Sequence, residues 1–503
     1  MISHTRDAGA AEDGQSEGES IQVVEPVGGQ LEILSKGEVE EIHGATVELF
    51  RRLGVKVWSP DALKLFEDAG AEVDKKSMMV KLDEGFVNET VRKAPSEFVF
   101  YGRDPDYKLH MGGRKVHFSL CGQGVKVEDL DGKVRLASLK DLENMAVLGD
   151  YLGNIHHVSM MTTPMDVPPE TMHIHAVWGV LRNSTKTTDG YLHGARWARE
   201  TLELGAIVRG GMDELMRKPM LLGFTNPVSP MQLSKELIEG SILYARHNQP
   251  VLYAPEALSG GTAPATLAGL LVQQNAEVLS GIMVSQLARA GAPVFYGTVS
   301  AALDMKTGAP ALGGPEVGLI NLATAQLARH YRLPCRGTGG NSDSKLVDVQ
   351  AGLETSMNLL MAGLAGVNFI YDSAGSIDGS IATSYGKIVV DNEVCGMVAR
   401  ILSGIKITEE TLAVNEIVRA GPAASYLGTP FTLRHFRTEH YIPQLLDRRS
   451  RESWEKAGSK GMEEVGRERA REILREHTPK PLDREVLRDG DAFVKKVVKS
   501  YRG

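Results

Sequence analysis

Eight strand-like segments recur along the 503-residue chain, separated by intervals of about one helix plus its loops, and that alternation leaves few folds open. The segments are residues 116–121, 155–162, 187–193, 219–225, 250–256, 293–300, 333–339 and 367–373. Helical spacing fills residues 138–152, 233–248, 264–290, 317–331 and 347–364. Eight βα units in series predict an α/β chain closed as a (β/α)8 TIM barrel. Such barrels carry their chemistry where the strands end, so the fold also says which residues to weigh.

Around the barrel, expected at residues 115–405, the chain divides further. Residues 1–20 are rich in Gly, Glu, Asp and Ser and predict a disordered tail. Residues 21–114 predict an extension of helices and short strands. Ser35 with Glu38 forms a capping box ahead of a helix that Gly54 ends, Ser59-Pro60 opens a second helix, and residues 83–93 a third. Short strands follow at 98–101 and 108–111. Asp131-Gly132 predicts a hairpin turn. Residues 386–402 supply the closing helix. Residues 406–503 predict a charged helical region, clearest at 461–477, whose charge reads as a solvated face.

Composition excludes several functions. The net charge is −8 with no basic block, which argues against nucleic acid as a partner. No uninterrupted apolar run reads as long enough to span a bilayer, and the start lacks a signal pattern. Cys121, Cys335 and Cys395 make neither a disulfide framework nor a metal knuckle, so the cytoplasm is the expected compartment. His156 and His157 are adjacent and face opposite sides, while His173 and His175 stand two apart on a helix. Neither pair has the spacing of a helical metal site, and no bound metal is expected.

The strand ends offer the candidates. Glu256 closes the fifth strand, where a carboxylate can neutralise a cation or act as a base. The glycine-rich loop after the seventh strand carries Asn341 and Asp343, and Asp372 ends the eighth. Phe224, Tyr253, Tyr296 and Tyr371 lie near strand ends. Aromatic faces bind quaternary ammonium groups, but alternation turns half of such positions toward the helices, so one or two of the four should face the site.

Several stretches, taken in order, resemble a known family. Gly261-Thr262-Ala263-Pro264-Ala265-Thr266-Leu267-Ala268-Gly269 runs into Gln273-Gln274-Asn275-Ala276-Glu277. Residues 293–300, 304–308, Ser342-Asp343-Ser344-Lys345 with Asp348 and Gln350, Leu433-Arg434-His435-Phe436 and Leu446-Asp447-Arg448-Arg449 follow. From residue 34 to 477 the chain resembles the trimethylamine methyltransferase superfamily of corrinoid-dependent methyltransferases. The resemblance implies a barrel enzyme that passes a methyl group from an amine to the Co(I) corrinoid of a separate protein. It implies no cofactor of the chain's own, and the Asp-x-His-x-x-Gly loop of corrinoid-carrying domains is absent. Trimethylamine-using members carry pyrrolysine in the barrel, whereas this chain has only the twenty standard residues. It therefore resembles the non-pyrrolysine branch, some of whose members demethylate glycine betaine or related quaternary amines.

On that reading Glu256 and Asp343 are the expected catalytic carboxylates. Phe224, Asn226, Tyr296, Asn341, Tyr371 and Asp372 are expected to bind the substrate. The expected partners are a cognate corrinoid protein, a small quaternary amine and further copies of the chain. The alternatives are demethylation of proline betaine, carnitine, trimethylamine or a methoxylated compound, or a non-catalytic barrel that binds a methylamine or a corrinoid protein.

Overall fold

The structure is a computed structural model and describes residues 26–501; the expected disordered tail at 1–20 lies outside the described residues. Eight parallel strands close into a barrel. They are β1 (His117–Leu120), β2 (His157–Val158), β3 (Thr187–Gly190), β4 (Leu221–Thr225), β5 (Val251–Tyr253), β6 (Val294–Gly297), β7 (Cys335–Thr338) and β8 (Phe369–Ala374). A helix follows each: α1 (Leu139–Tyr151), α2 (Met172–Asn183), α3 (Gly194–Arg209), α4 (Lys235–Arg246), α5 (Leu267–Ala288), α6 (Pro315–His330), α7 (Val349–Ala365) and α8 (Tyr385–Leu402). Every expected strand is present, as the (β/α)8 reading requires.

Local sequence sets the helix starts. Ser138 caps α1 reciprocally with Asp141, and Thr266, Asp348 and Ser384 each accept a backbone N–H at the starts of α5, α7 and α8. Each start is thereby fixed at the strand-end face of the barrel, where side chains meet.

The core has two parts. The larger lies between barrel and helices. The smaller fills the barrel interior with Phe100, Leu109, Met111, Leu222, Leu252, Ala254, Phe295, Phe369 and Tyr371. Phe100, Leu109 and Met111 belong to no barrel strand. They come from the antiparallel hairpin Glu97–Tyr101 and Lys108–Gly112. Phe98 meets Phe295 edge-on at 5.1 Å, and Phe100 stacks on His157 at 5.8 Å. The hairpin is a plug that closes the base of the barrel.

Helix α5 corrects one expectation. By length and composition it could cross a membrane, with a mean hydropathy of 1.2 over its most apolar window. Yet 78% of that window is buried inside the protein, and it carries Gln274, Asn275 and Glu277 fully buried. Its apolarity is that of a core helix packed on all sides. After α8, the helix Met462–Glu476 buries Gly466, Ala470 and Ile473 and runs along α8. The helix Arg484–Ser500 packs on α2 and α3, where Asp491 accepts a 2.8 Å hydrogen bond from Trp178 Nε1.

Candidate active site

At the mouth, polar and charged side chains turn inward beside aromatic ones. Arg336 on β7 is completely buried, a position sequence reasoning did not single out. Its Nη2 donates to Asp372 Oδ2 at 2.9 Å, and its Nη1 donates to the Thr338 hydroxyl at 2.8 Å and to the carbonyl of Thr298. Its Nε–H, though buried, has no partner among the described residues. The guanidinium lies 5.3 Å from the Phe224 ring centre and 5.1 Å from that of Tyr371, within cation–π range of both.

Asp372 reaches this position by an irregularity. The pairing of β8 with β1 shifts register between Ile370 and Ala374. Asp372 itself adopts a left-handed backbone, φ +57°, which costs a non-glycine residue energy. Strict alternation would send Asp372 outward beside the inward Tyr371; the bulge brings both inward. Gly340 makes the bulge possible: its N–H donates to the Asp372 carbonyl at 2.5 Å, and a Cβ there would stand 2.2 Å from the Ser373 carbonyl. The other Asp372 oxygen accepts from the Gly122 N–H at 2.8 Å. Burial raises the Asp372 carboxyl above its usual range despite the opposing pull of Arg336 and the Gly122 amide.

Beneath lies a second chain of contacts. Tyr371 donates its hydroxyl to Asp189 Oδ2 at 2.6 Å, and that oxygen also accepts from the Met160 N–H at 3.0 Å. The other Asp189 oxygen meets His157 Nε2 at 3.0 Å, while His157 Nδ1 meets the Thr187 hydroxyl at 2.9 Å. One of the two adjacent histidines thus faces the interior. Burial, then Asp189, pushes the Tyr371 hydroxyl well above the usual range, so it stays a donor.

Glu256 stands above this group at the end of β5. Its carboxylate accepts no hydrogen bond from the described residues and is open to solvent through the mouth, while protein walls its flanks. Burial of those flanks raises its carboxyl, and the charge of Asp372 raises it further, against Arg336. Glu256, Asp372 and Asp189 set three carboxylates against one guanidinium.

The remaining candidates divide. Phe224 and Tyr371 turn inward, their rings 5.4 Å apart. Asn226, half-buried after β4, donates from Nδ2 to the Ala254 carbonyl at 2.8 Å. Asn341 is buried after β7 with its Oδ1 unpartnered. Tyr296, expected against the substrate, instead faces the helices: its hydroxyl donates to Asn275 Oδ1 on α5 at 2.8 Å, and its ring stacks on Tyr331. Tyr253 also faces outward, 2.7 Å from the Ser285 hydroxyl. Asp343, expected to be catalytic, has both oxygens taken by backbone amides, those of Leu312 at 3.1 Å and Gly313 at 3.0 Å. It ties the loop after β6 to the loop after β7.

Sequence reasoning missed Arg336, Asp189 and the inward face of His157; the signal available was a charged or polar residue within a short buried strand. A lone arginine between Cys335 and Gly337, two residues before Thr338, shares the inward face with that threonine.

The sequence matches the family model described as trimethylamine methyltransferase (MTTB) across residues 3–501. Glycine betaine methyltransferase of Desulfitobacterium hafniense (strain Y51) is 35% identical over 466 residues, 92% of this chain and 96% of that one. Trimethylamine methyltransferase MttB of Methanosarcina barkeri (strain Fusaro / DSM 804) is 36% identical over 486 residues, 95% of this chain and 97% of that one. The crystal structure of Methanosarcina barkeri monomethylamine methyltransferase aligns over 92% of this chain and 97% of its own, with a TM-score of 0.45 at 11% identity. With matches that run almost end to end through the barrel and both its extensions, this chain belongs to the trimethylamine methyltransferase (MTTB) family.

Proposed function

We propose that this chain demethylates a quaternary amine, glycine betaine before others, and delivers the methyl group to the Co(I) corrinoid of a separate protein. The observation that carries the reading is the charge layout of the mouth: an excess of carboxylate around a buried arginine whose Nε–H has no partner among the described residues. A betaine is a zwitterion and matches both halves. Its carboxylate would take the free Nε–H of Arg336, and a charge-assisted bond to guanidinium is among the stronger polar contacts. Its trimethylammonium would lie toward Glu256, held by charge, ring faces and shape, because it has no hydrogen to donate.

The chemistry asks little of this chain beyond orientation. The corrinoid supplies the nucleophile. Phe224 and Tyr371 bound the well, and the Tyr371–Asp189–His157 contacts lock the Tyr371 ring. The hairpin plug shuts the base, so a methyl group can leave only through the mouth. A quaternary nitrogen departs as a neutral amine, so no proton need be delivered, and no acid free of other contacts is required. The match to glycine betaine methyltransferase supports the same substrate.

Calorimetric titration tests the site. Glycine betaine should bind saturably at one site per chain, and trimethylamine at least tenfold more weakly. Equal affinities, or no betaine binding, would remove the zwitterion reading.

A further inference from the structure

Outside the barrel wall, a buried ion pair takes hold of the backbone. Lys387 in the first turn of α8 and Asp391 one turn on are both buried, with the Lys387 Nζ 2.6 Å from Asp391 Oδ2. The place disfavours a cation twice: burial strips its water, and the N-terminal turn of a helix repels positive charge. Apolar residues of similar volume often replace such a pair with no loss of stability, so stability does not explain it. Its other bonds do. The Lys387 ammonium donates to the Thr355 hydroxyl on α7 at 2.8 Å and to the Gly340 carbonyl after β7 at 3.2 Å. Asp391 Oδ2 also accepts the N–H of Gly375, just after β8, at 2.8 Å. Both glycines border the β8 bulge. The Gly340 N–H donates to the Asp372 carbonyl at 2.5 Å, and Gly375 follows the last residue of the strand.

We infer that Lys387, with Asp391, is a positioning residue of the mouth: it clamps the two backbone segments that border the β8 bulge and so holds Asp372 against Arg336. The left-handed backbone of Asp372 costs energy and persists only where its surroundings over-determine it. Three donors on one ammonium tie α7, α8 and the loop after β7 to a single point, and Asp391 brings in the end of β8. No apolar side chain makes that junction. Released from it, residue 372 can relax to extended backbone, and alternation then sends its carboxylate outward beside the inward Tyr371. Arg336 Nη2 then loses the acceptor it has at 2.9 Å, and the direction of its Nε–H is no longer fixed. That this Nε–H receives a substrate carboxylate rests on the function proposed above; that Lys387 sets its direction does not.

Two readouts on one variant separate positioning from plain stability. Lys387→Met alone strands a buried carboxylate and should lower the melting temperature. Adding Asp391→Asn removes that charge and keeps an acceptor for the Gly375 N–H, while the Thr355 hydroxyl keeps its 3.2 Å bond to the Gly340 carbonyl. The double variant should therefore recover most of the lost stability. If the pair only stabilised the fold, betaine affinity per folded molecule would recover with it. Positioning predicts instead that calorimetric affinity for glycine betaine stays about tenfold or more below wild type, because a displaced group no longer meets what it was aimed at. A crystal structure of the ligand-free double variant should show the Asp372 carboxylate turned away from Arg336. Asp372 still paired with Arg336 overturns the inference, and so does wild-type affinity in the folded double variant. A wild type that binds no betaine removes the proposed function, and the crystal structure then decides on Lys387 by itself. If the double variant does not fold, Thr355→Val takes one acceptor from the ammonium at nearly constant shape and is read in the same two ways. Binding about threefold weaker is expected of it, and an unchanged site overturns the inference.

Discussion

Glu256 has no hydrogen-bond partner among the described residues to give up, unlike Asp372 and Asp189, which makes it the cleanest residue to change. Glu256→Gln keeps the shape and removes the charge. Because the group is open to solvent, its attraction for a nearby cation is screened, and about 1–2 kcal/mol should be lost, roughly 5- to 30-fold in betaine affinity. The same variant makes an opposite claim on stability. The Glu256 carboxyl is raised above its unfolded value, so its contribution to stability is present below that value and is lost as pH rises through the folded one. At neutral pH the melting temperature of Glu256→Gln should equal or exceed that of the wild type, and any gain should vanish in acid. Betaine affinity of the wild type should fall with decreasing pH at a point above the ordinary carboxylate range, and Glu256→Gln should flatten that profile. A lowered melting temperature with unchanged affinity would make Glu256 a structural residue. Arg336 differs, because its ion pair with Asp372 is buried. Arg336→Met strands that carboxylate and should cost about 3–5 kcal/mol in a denaturant titration.

At the scale of the element, alternation decides which aromatics matter. Phe295 faces in and Tyr296 faces out on β6. Tyr296→Phe removes one buried hydrogen bond to Asn275 and should cost about 1 kcal/mol of stability while leaving betaine affinity alone. If affinity falls with it, the outward placement of that ring is wrong. The strands themselves were readable because buried parallel strands appear as short apolar runs, and 293–300 and 367–373 are such runs. Which face each residue takes was less readable. A tyrosine at a strand end looks the same pointing in or out. The bulge that turns Asp372 inward beside Tyr371 depends on the close approach of Gly340, a contact made across two strands. Asp343 illustrates the converse: its loop position suggested a site, but two amides from the neighbouring loop occupy it. Local sequence cannot report partners 30 residues away.

Across the whole molecule, the N-terminal extension supplies the floor of the barrel. The extension was legible as helices and short strands; its role was not, since nothing local says that Phe98 and Phe100 enter the barrel. Phe100→Ala empties part of that floor and should cost about 3–5 kcal/mol, read as a lower midpoint in denaturant. An unchanged midpoint would mean the hairpin sits loosely against the base.

On the proposed function, the charged mouth holds a quaternary amine in line for transfer to a corrinoid presented from outside. Purified protein should be mixed with reduced Co(I) corrinoid and glycine betaine, and the loss of the Co(I) absorbance followed together with the appearance of dimethylglycine. The two should proceed in equal amounts with glycine betaine and not with trimethylamine. Turnover of trimethylamine by protein whose mass confirms only standard residues would overturn the quaternary-amine assignment. Saturable betaine binding with no methyl transfer would leave a binding barrel rather than an enzyme.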